Sequence, residues 1–187
     1  TLSSSSAASD VYKRQELYPY LVGVCDLVIE AFNAQEIMEK SDLVFFATPS
    51  GVASQLAQPF VETDFPVIDL SGDHRLPADS YEKWYKIEHK SPQFIEEAVY
   101  GLCEINREKV KNARLVANPG CYTTCSILTA YPLVKEGLID ANTLIVDAKS
   151  GTSGAGRGAK VNNLFCEVNE NMKAYGVATH RLSLIHI

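Results

Sequence analysis

Two short apolar runs constrain this chain most: Asp42-Leu43-Val44-Phe45-Phe46-Ala47-Thr48, closed by Pro49, and Val67-Ile68-Asp69-Leu70. An unbroken apolar run of this length, ended by turn residues, reads as a strand buried on both faces of a parallel sheet. Between them, Ser50 has the chemistry of an N-cap for a helix running to Phe60. Strand, helix and strand in this order form the right-handed crossover unit of a doubly wound sheet. Such sheets take ligands at the carboxyl ends of their strands, where Thr48-Pro49-Ser50-Gly51 and Ser71-Gly72-Asp73-His74-Arg75 fall. Ser50 and Gly51 are therefore expected to face a cofactor, with Arg75 organising the site. An N-cap and a tight turn is the alternative on the residues alone. His74 reads as a hydrogen-bonded structural histidine.

The remaining pattern extends the same architecture. Leu17 to Glu30 mixes short apolar runs that suggest strands, and Asn33 with Glu36 has capping-box spacing, which predicts a helix from Ala34 to about Lys40. Tyr81, Trp84 and Tyr85 sit at near-helical spacing and read as a helix packed on a sheet. Val99 to Leu102, Ala113 to Ala117 and Thr143 to Ala148 read as strands, and Asn106 to Lys111 as a charged helix.

Chemistry concentrates at Asn118-Pro119-Gly120-Cys121-Tyr122-Thr123-Thr124, which joins an apolar run to an amphipathic helix with apolar residues at 127, 128, 131, 133 and 134 and a stop at Gly137. Cys121 falls in the first turn of that helix. Unpaired backbone N–H groups and the positive end of the helix dipole favour an anion there, so the thiolate is stabilised and becomes a better nucleophile. An inert, packed cysteine is the alternative. Further on, Ser150-Gly151-Thr152-Ser153-Gly154-Ala155-Gly156-Arg157-Gly158 carries four glycines. Such a loop lets backbone N–H groups approach an anion, and Arg157 adds charge, so phosphate and a nicotinamide amide are both suitable guests. It has neither Walker A nor dinucleotide-fingerprint spacing.

A net charge of −6 with scattered Lys and Arg argues against a nucleic-acid surface. No run approaches the ~18 apolar residues that suggest a membrane span. Five cysteines, an odd number with no CxxC pair, suit a reducing cytoplasm better than a disulfide framework. Cys121 and Cys125, one turn apart, have no further ligands nearby, and no metal site is expected.

Four stretches in order carry a resemblance: Asn118-Pro119-Gly120-Cys121-Tyr122, Ser71-Gly72-Asp73-His74-Arg75-Leu76, the loop from Ser150 to Arg157, and Ala174-Tyr175-Gly176-Val177-Ala178-Thr179-His180-Arg181. With these, residues 16 to 182 resemble the N-acetyl-gamma-glutamyl-phosphate reductase family. The resemblance implies an α/β fold: a partial, Rossmann-like doubly wound parallel sheet, followed by the start of an α+β catalytic domain like that of glyceraldehyde-phosphate dehydrogenase. It implies NADPH as hydride donor and N-acetyl-glutamyl phosphate, a small acyl phosphate, as substrate in arginine biosynthesis. Cys121 would form the thioester and His180 would move the proton. Arg181, Arg157, Arg75 and Asn118 would contact substrate, Ser50, Gly51, Ser153 and Gly154 the cofactor, and the parent enzyme would be a homo-oligomer.

The chain departs from the family in three places. Cys103 stands where proline is usual, and Leu182 where the family's His-Arg-His pattern has its second histidine. Nothing between Thr1 and Glu30 matches the family's opening glycine-rich loop, since Gly23 stands alone. The expected organisation is a disordered or non-native lead over 1–15, an incomplete dinucleotide-binding domain over 16–120, the start of the catalytic domain over 121–182, and a non-native tail over 183–187. Two alternatives stay open: an aspartate-semialdehyde-type dehydrogenase, usually with Thr directly after the cysteine where this chain has Tyr122, and a non-catalytic remnant that serves as an assembly partner.

Overall fold

The computed structural model describes residues 18–156, 158–177, 179 and 180. The chain divides into two compact units, one ending at Gly120 and the other beginning at Cys121. The leading stretch 1–15, Arg157, Arg181 and the tail 183–187 lie outside the described residues.

The first unit is a four-stranded parallel sheet in the order β1 (Val44–Phe46), β2 (Val67–Asp69), β4 (Leu115–Ala117), β3 (Val99–Tyr100). The register pairs Val44 with Val67 and Val67 with Leu115, so one row of alternate residues faces the core. Helix α1 (Ala34–Lys40) begins where its sequence requires: the Asn33 side chain accepts from the Gln35 and Glu36 amides. The Glu36 side chain reaches back to the Asn33 amide nitrogen of the side chain, at 3.1 Å, and not to its backbone. Phe46 and Phe60 meet edge-on at 5.8 Å in a core shared with Val44, Val67, Leu115 and Ala57, against which Phe32, Ile37 and Met38 pack.

Several expectations need correction. The run to Phe60 forms two short helices, α2 (Ala53–Leu56) and α3 (Gln58–Val61), and Ser50 does not cap them. A buried carboxylate from a distant loop takes that role, as described below. β1 is covered on one face only: Val44 and Phe46 are buried, whereas Phe45 is 52% exposed, while Ile68 of β2 is half-buried. Residues 18–30 form a short 3₁₀ turn at Pro19–Leu21 and a single bridge residue at 28, with no strand. The charged helix α5 starts earlier than expected, running Cys103–Lys111 with Asn106 outside helical geometry, while α4 spans Ala78–Tyr85.

In the second unit, α6 runs Cys121–Lys135 with Pro132 inside it. It stops at Gly137, where the Leu138 amide donates to Leu133 and the Gly137 amide to Val134, a Schellman pairing. The later residues make short 3₁₀ turns and one four-residue helix, α7 (Phe165–Val168). Thr143 to Ala148 forms no strand. A strand exists through its ladder, and no neighbour among the described residues offers this run one, so Ile145 is 91% exposed.

Candidate active site

At the carboxyl edge of the sheet, in the first unit, the loop after β2 folds inward around Asp73. Its fully buried carboxylate accepts the Gly51 amide at 2.8 and 2.9 Å, the Ser54 amide at 2.9 Å and the Tyr81 hydroxyl at 2.8 Å. It thereby serves as the anionic cap of α2, supplying from Asp73 what Ser50 was expected to give. Burial and then the Asp73 hydrogen bond push the Tyr81 hydroxyl above its ordinary range, so Tyr81 keeps its proton and donates it. Gly51 thus points its amide into the protein, and any cofactor contact at this residue runs through other atoms.

Around Asp73 lie two histidines. His74 Nδ1 is 2.7 Å from Asp69 Oδ2, and Asp69 also accepts the Ser71 amide at 2.8 Å. Burial pushes the Asp69 carboxyl up, but the His74 and Ser71 hydrogen bonds outweigh it and leave it below the usual carboxylate range. The ionised carboxylate fixes the proton on His74 Nδ1. His89 Nε2 lies 2.8 Å from the Asp73 carbonyl, which can only accept, while its Nδ1 accepts the Ser91 amide at 3.2 Å. Those two partners define the neutral Nε2–H tautomer. Burial lowers the His89 imidazole below its ordinary range against the pull of the Asp73 carbonyl.

Arg75 leaves this cluster sideways. Its Nε donates to the Asn118 carbonyl at 2.6 Å and its terminal nitrogen to the Leu70 carbonyl at 2.8 Å, while the Asn118 amide donates to Asp69 at 2.8 Å. The Asn118 side chain turns to the Pro119 carbonyl at 3.1 Å. Arg75 and Asn118 are thus brought together, through backbone. The Thr48 hydroxyl, just past β1, is a buried polar atom with no hydrogen-bond partner among the described residues. An unsatisfied donor at the carboxyl edge of a doubly wound sheet fits a polar ligand such as the nicotinamide cofactor, and Ser50 is its neighbour but one.

The second unit carries the thiol. Cys121 is the first residue of α6, free and exposed. Tyr122 donates its hydroxyl proton to Ser150 Oγ at 2.9 Å, which ties the start of the helix to the glycine-rich loop. His180 sits edge-on to Tyr175 at 5.1 Å and to Tyr122 at 6.0 Å. Loss of hydration, the hydrogen bond with Tyr122, and the charges of Tyr122 and Cys121 push the Tyr175 hydroxyl up to about 12. Tyr175 thus lies against both the His180 ring and Tyr122, the second residue of α6.

In the glycine-rich loop, Ser153 and Gly154 lie on the turn Thr152–Ala155, whose Gly154 amide donates to Gly151 and whose Ser153 carbonyl accepts from Gly156. Beside it is an open groove of about 400 Å³ lined by Thr152, Ser153, Gly156, Lys160 and Asn163. Arg157 and Arg181 fall outside the described residues. Among the described residues no three His, Cys, Asp or Glu side chains gather to hold a metal ion, and no helix is long and apolar enough to cross a membrane. Sequence reasoning missed Asp73, Tyr122 and Tyr175 as members of these clusters. Asp73 lies within a motif already noted, but its partners are up to 22 residues away in sequence.

Comparison with known proteins adds the family. Residues 1–113 match the model described as "Semialdehyde dehydrogenase, NAD binding domain", and residues 121–183 match "Semialdehyde dehydrogenase, dimerisation domain". Relatives named N-acetyl-gamma-glutamyl-phosphate reductase include one from Lachnospira eligens, 62% identical over 80% of this chain and 43% of its own length. Those from Streptococcus thermophilus and Campylobacter jejuni are 52% and 53% identical over 96% of this chain, and 53% and 51% of their own lengths. The chain spans about half the length of the curated relatives it matches.

Proposed function

Because the chain belongs to the semialdehyde dehydrogenase family, we propose that it takes part in reducing an acyl phosphate to an aldehyde through a thioester on Cys121. The substrate is N-acetyl-glutamyl 5-phosphate and the product N-acetyl-glutamate 5-semialdehyde, with phosphate released, in arginine biosynthesis. This reading is supported by relatives that carry the reductase name. One observation carries it: a free, exposed thiol opens a fifteen-residue helix whose second residue, Tyr122, meets the His180 ring edge-on at 6.0 Å.

Cys121 Sγ attacks the acyl carbon, the carbon–oxygen bond to phosphate breaks, and phosphate leaves with the electron pair. NADPH, when bound, supplies the hydride that the thioester carbon accepts. Collapse breaks the carbon–sulfur bond and returns the thiolate. His180 takes the thiol proton before attack and gives it back afterwards. Arg181, Arg157, Arg75 and Asn118 orient the phosphate and carboxylate, guanidinium groups binding both in a bidentate manner. Arg75 retains donors beyond its two backbone partners for this. Ser50 and Gly51, beside the unpartnered Thr48 hydroxyl, hold the cofactor with Ser153 and Gly154. Residues 16–120 form the nicotinamide half and 121–182 the start of the catalytic half of a cytoplasmic homo-oligomer.

Incubating the chain with N-acetyl-glutamyl 5-phosphate and digesting it tests the first step. An acyl adduct on the Cys121 peptide, absent from Cys121→Ser, is the expected result. An adduct equally abundant on the other cysteines, or undiminished by the substitution, overturns the reading.

A further inference from the structure

The imidazole of His180 is seated by three residues to which the reading above gives no role. Gly176 has φ +61°, and its carbonyl accepts the Thr179 amide at 2.9 Å, a tight turn that folds His180 back over Tyr175. A Cβ on Gly176 would lie 3.1 Å from His180 Cβ and Cδ2 and 3.3 Å from its Cα. That is tighter than nearly all real side-chain contacts, at a φ that L-residues rarely adopt. The glycine is what lets the ring lie against the backbone.

Two tyrosines close the other sides. The Tyr175 ring meets His180 at 72° and the Tyr122 ring at 85°, both edge-to-face arrangements in which the positive edge of one ring meets the negative face of another. Tyr122 and Tyr175 lie 6.4 Å apart, and Tyr122 is anchored by its bond to Ser150. A ring bounded this way by backbone and two aromatic neighbours is restricted in both χ angles. We propose that Gly176, Tyr175 and Tyr122 are positioning residues that hold the His180 imidazole in one orientation for proton transfer, a role that rests on the reading above.

The test follows the His180 imidazole C–H resonances of the 187-residue chain by NMR between pH 5 and 8, assigned by their disappearance in His180→Asn. Two edge-on tyrosines displace these resonances by ring currents. Wild type and Tyr175→Phe, which keeps the ring, should share the displacement. Tyr175→Leu and Gly176→Ala should lose it. A displacement unchanged in both of the latter overturns the seat, and Gly176→Ala, which leaves both tyrosines in place, guards against a loss caused only by removing an aromatic ring. Alkylation of Cys121 on the same samples separates the two ideas. If His180→Asn leaves its pH profile untouched, His180 is not the base and the proposed chemistry fails at that step, while the resonances still decide the seat.

Discussion

Arg75 Nε donates to the carbonyl oxygen of Asn118 at 2.6 Å across 43 residues of sequence. With its second bond to Leu70, this guanidinium ties the carboxyl end of β2 to that of β4, three residues before Cys121. Charge-assisted bonds of this kind contribute about 1.5–3 kcal/mol when sheltered, and the partly exposed site puts the pair at the lower end. Arg75→Ala is expected to cost about 1–2 kcal/mol of unfolding free energy, read from urea midpoints at constant slope. Arg75→Lys should recover part of it, since an ammonium reaches one carbonyl but not both. An unchanged midpoint in the alanine variant would mean that the strand ends hold without the clamp.

Asp73 anchors more than Arg75 does. Its replacement by alanine leaves the amides of Gly51 and Ser54 and the hydroxyl of Tyr81 without their acceptor inside the protein. Each orphaned buried donor costs about 1–3 kcal/mol, so Asp73→Ala should lose upwards of about 3 kcal/mol. Tyr81→Phe removes one donor and leaves the carboxylate its backbone partners, for a loss of about 1 kcal/mol. Equal losses in the two variants would show that the Gly51 and Ser54 amides find other partners, and that α2 needs no carboxylate cap.

Much of this unit is legible in the sequence because its strands are short apolar runs between turn residues. β1, β2 and β4 fall inside the runs at 42–48, 67–70 and 113–117, and α1 follows from Asn33. The run at 143–148 is apolar in the same way yet forms no strand and stays exposed, because composition says what a strand can be made of and not whether a partner is beside it. One-sided burial of β1 is illegible for the same reason: Val44-Phe45-Phe46 reads as apolar throughout, and only packing reveals that Phe45 looks outward. The structural reading of His74 agrees with its bond to Asp69. The Asp73 cap could not be read, since it joins residues 51, 54, 73 and 81 through side-chain chemistry with no periodicity.

The buried histidine gives the first unit an acid limit. His89 is 4% exposed and is neutral when folded, its imidazole lowered below the free value by burial. The unfolded chain therefore binds the extra proton first, at about pH 6.5, and stability falls as pH drops through that value. Asp69, lowered from its usual range, adds a second loss as pH falls below about 3.9 towards its folded value. Urea midpoints should thus decline from pH 7.5 to 5, and His89→Gln, which keeps a donor and an acceptor, should flatten that decline. A slope unaltered by the substitution would place the titrating group elsewhere.

Two cysteines begin helices, and only one is held back. Cys121 opens the fifteen-residue α6, whereas Cys103 opens the nine-residue α5 with its Sγ 3.6 Å from the Gly101 carbonyl, to which it donates. Unpaired amides in the first helical turn stabilise negative charge building on sulfur during attack. A thiol already donating to a carbonyl must first give up that bond. Iodoacetamide is therefore expected to modify Cys121 fastest of the five, with Cys103, Cys125 and Cys166 slower although all are exposed, as resolved by peptide mass spectrometry over time. Cys103 reacting as fast as Cys121 would reduce the effect to helix position alone. Cys125, one turn further into α6 and beyond the free amides, reacting as fast would remove the helix from the argument altogether.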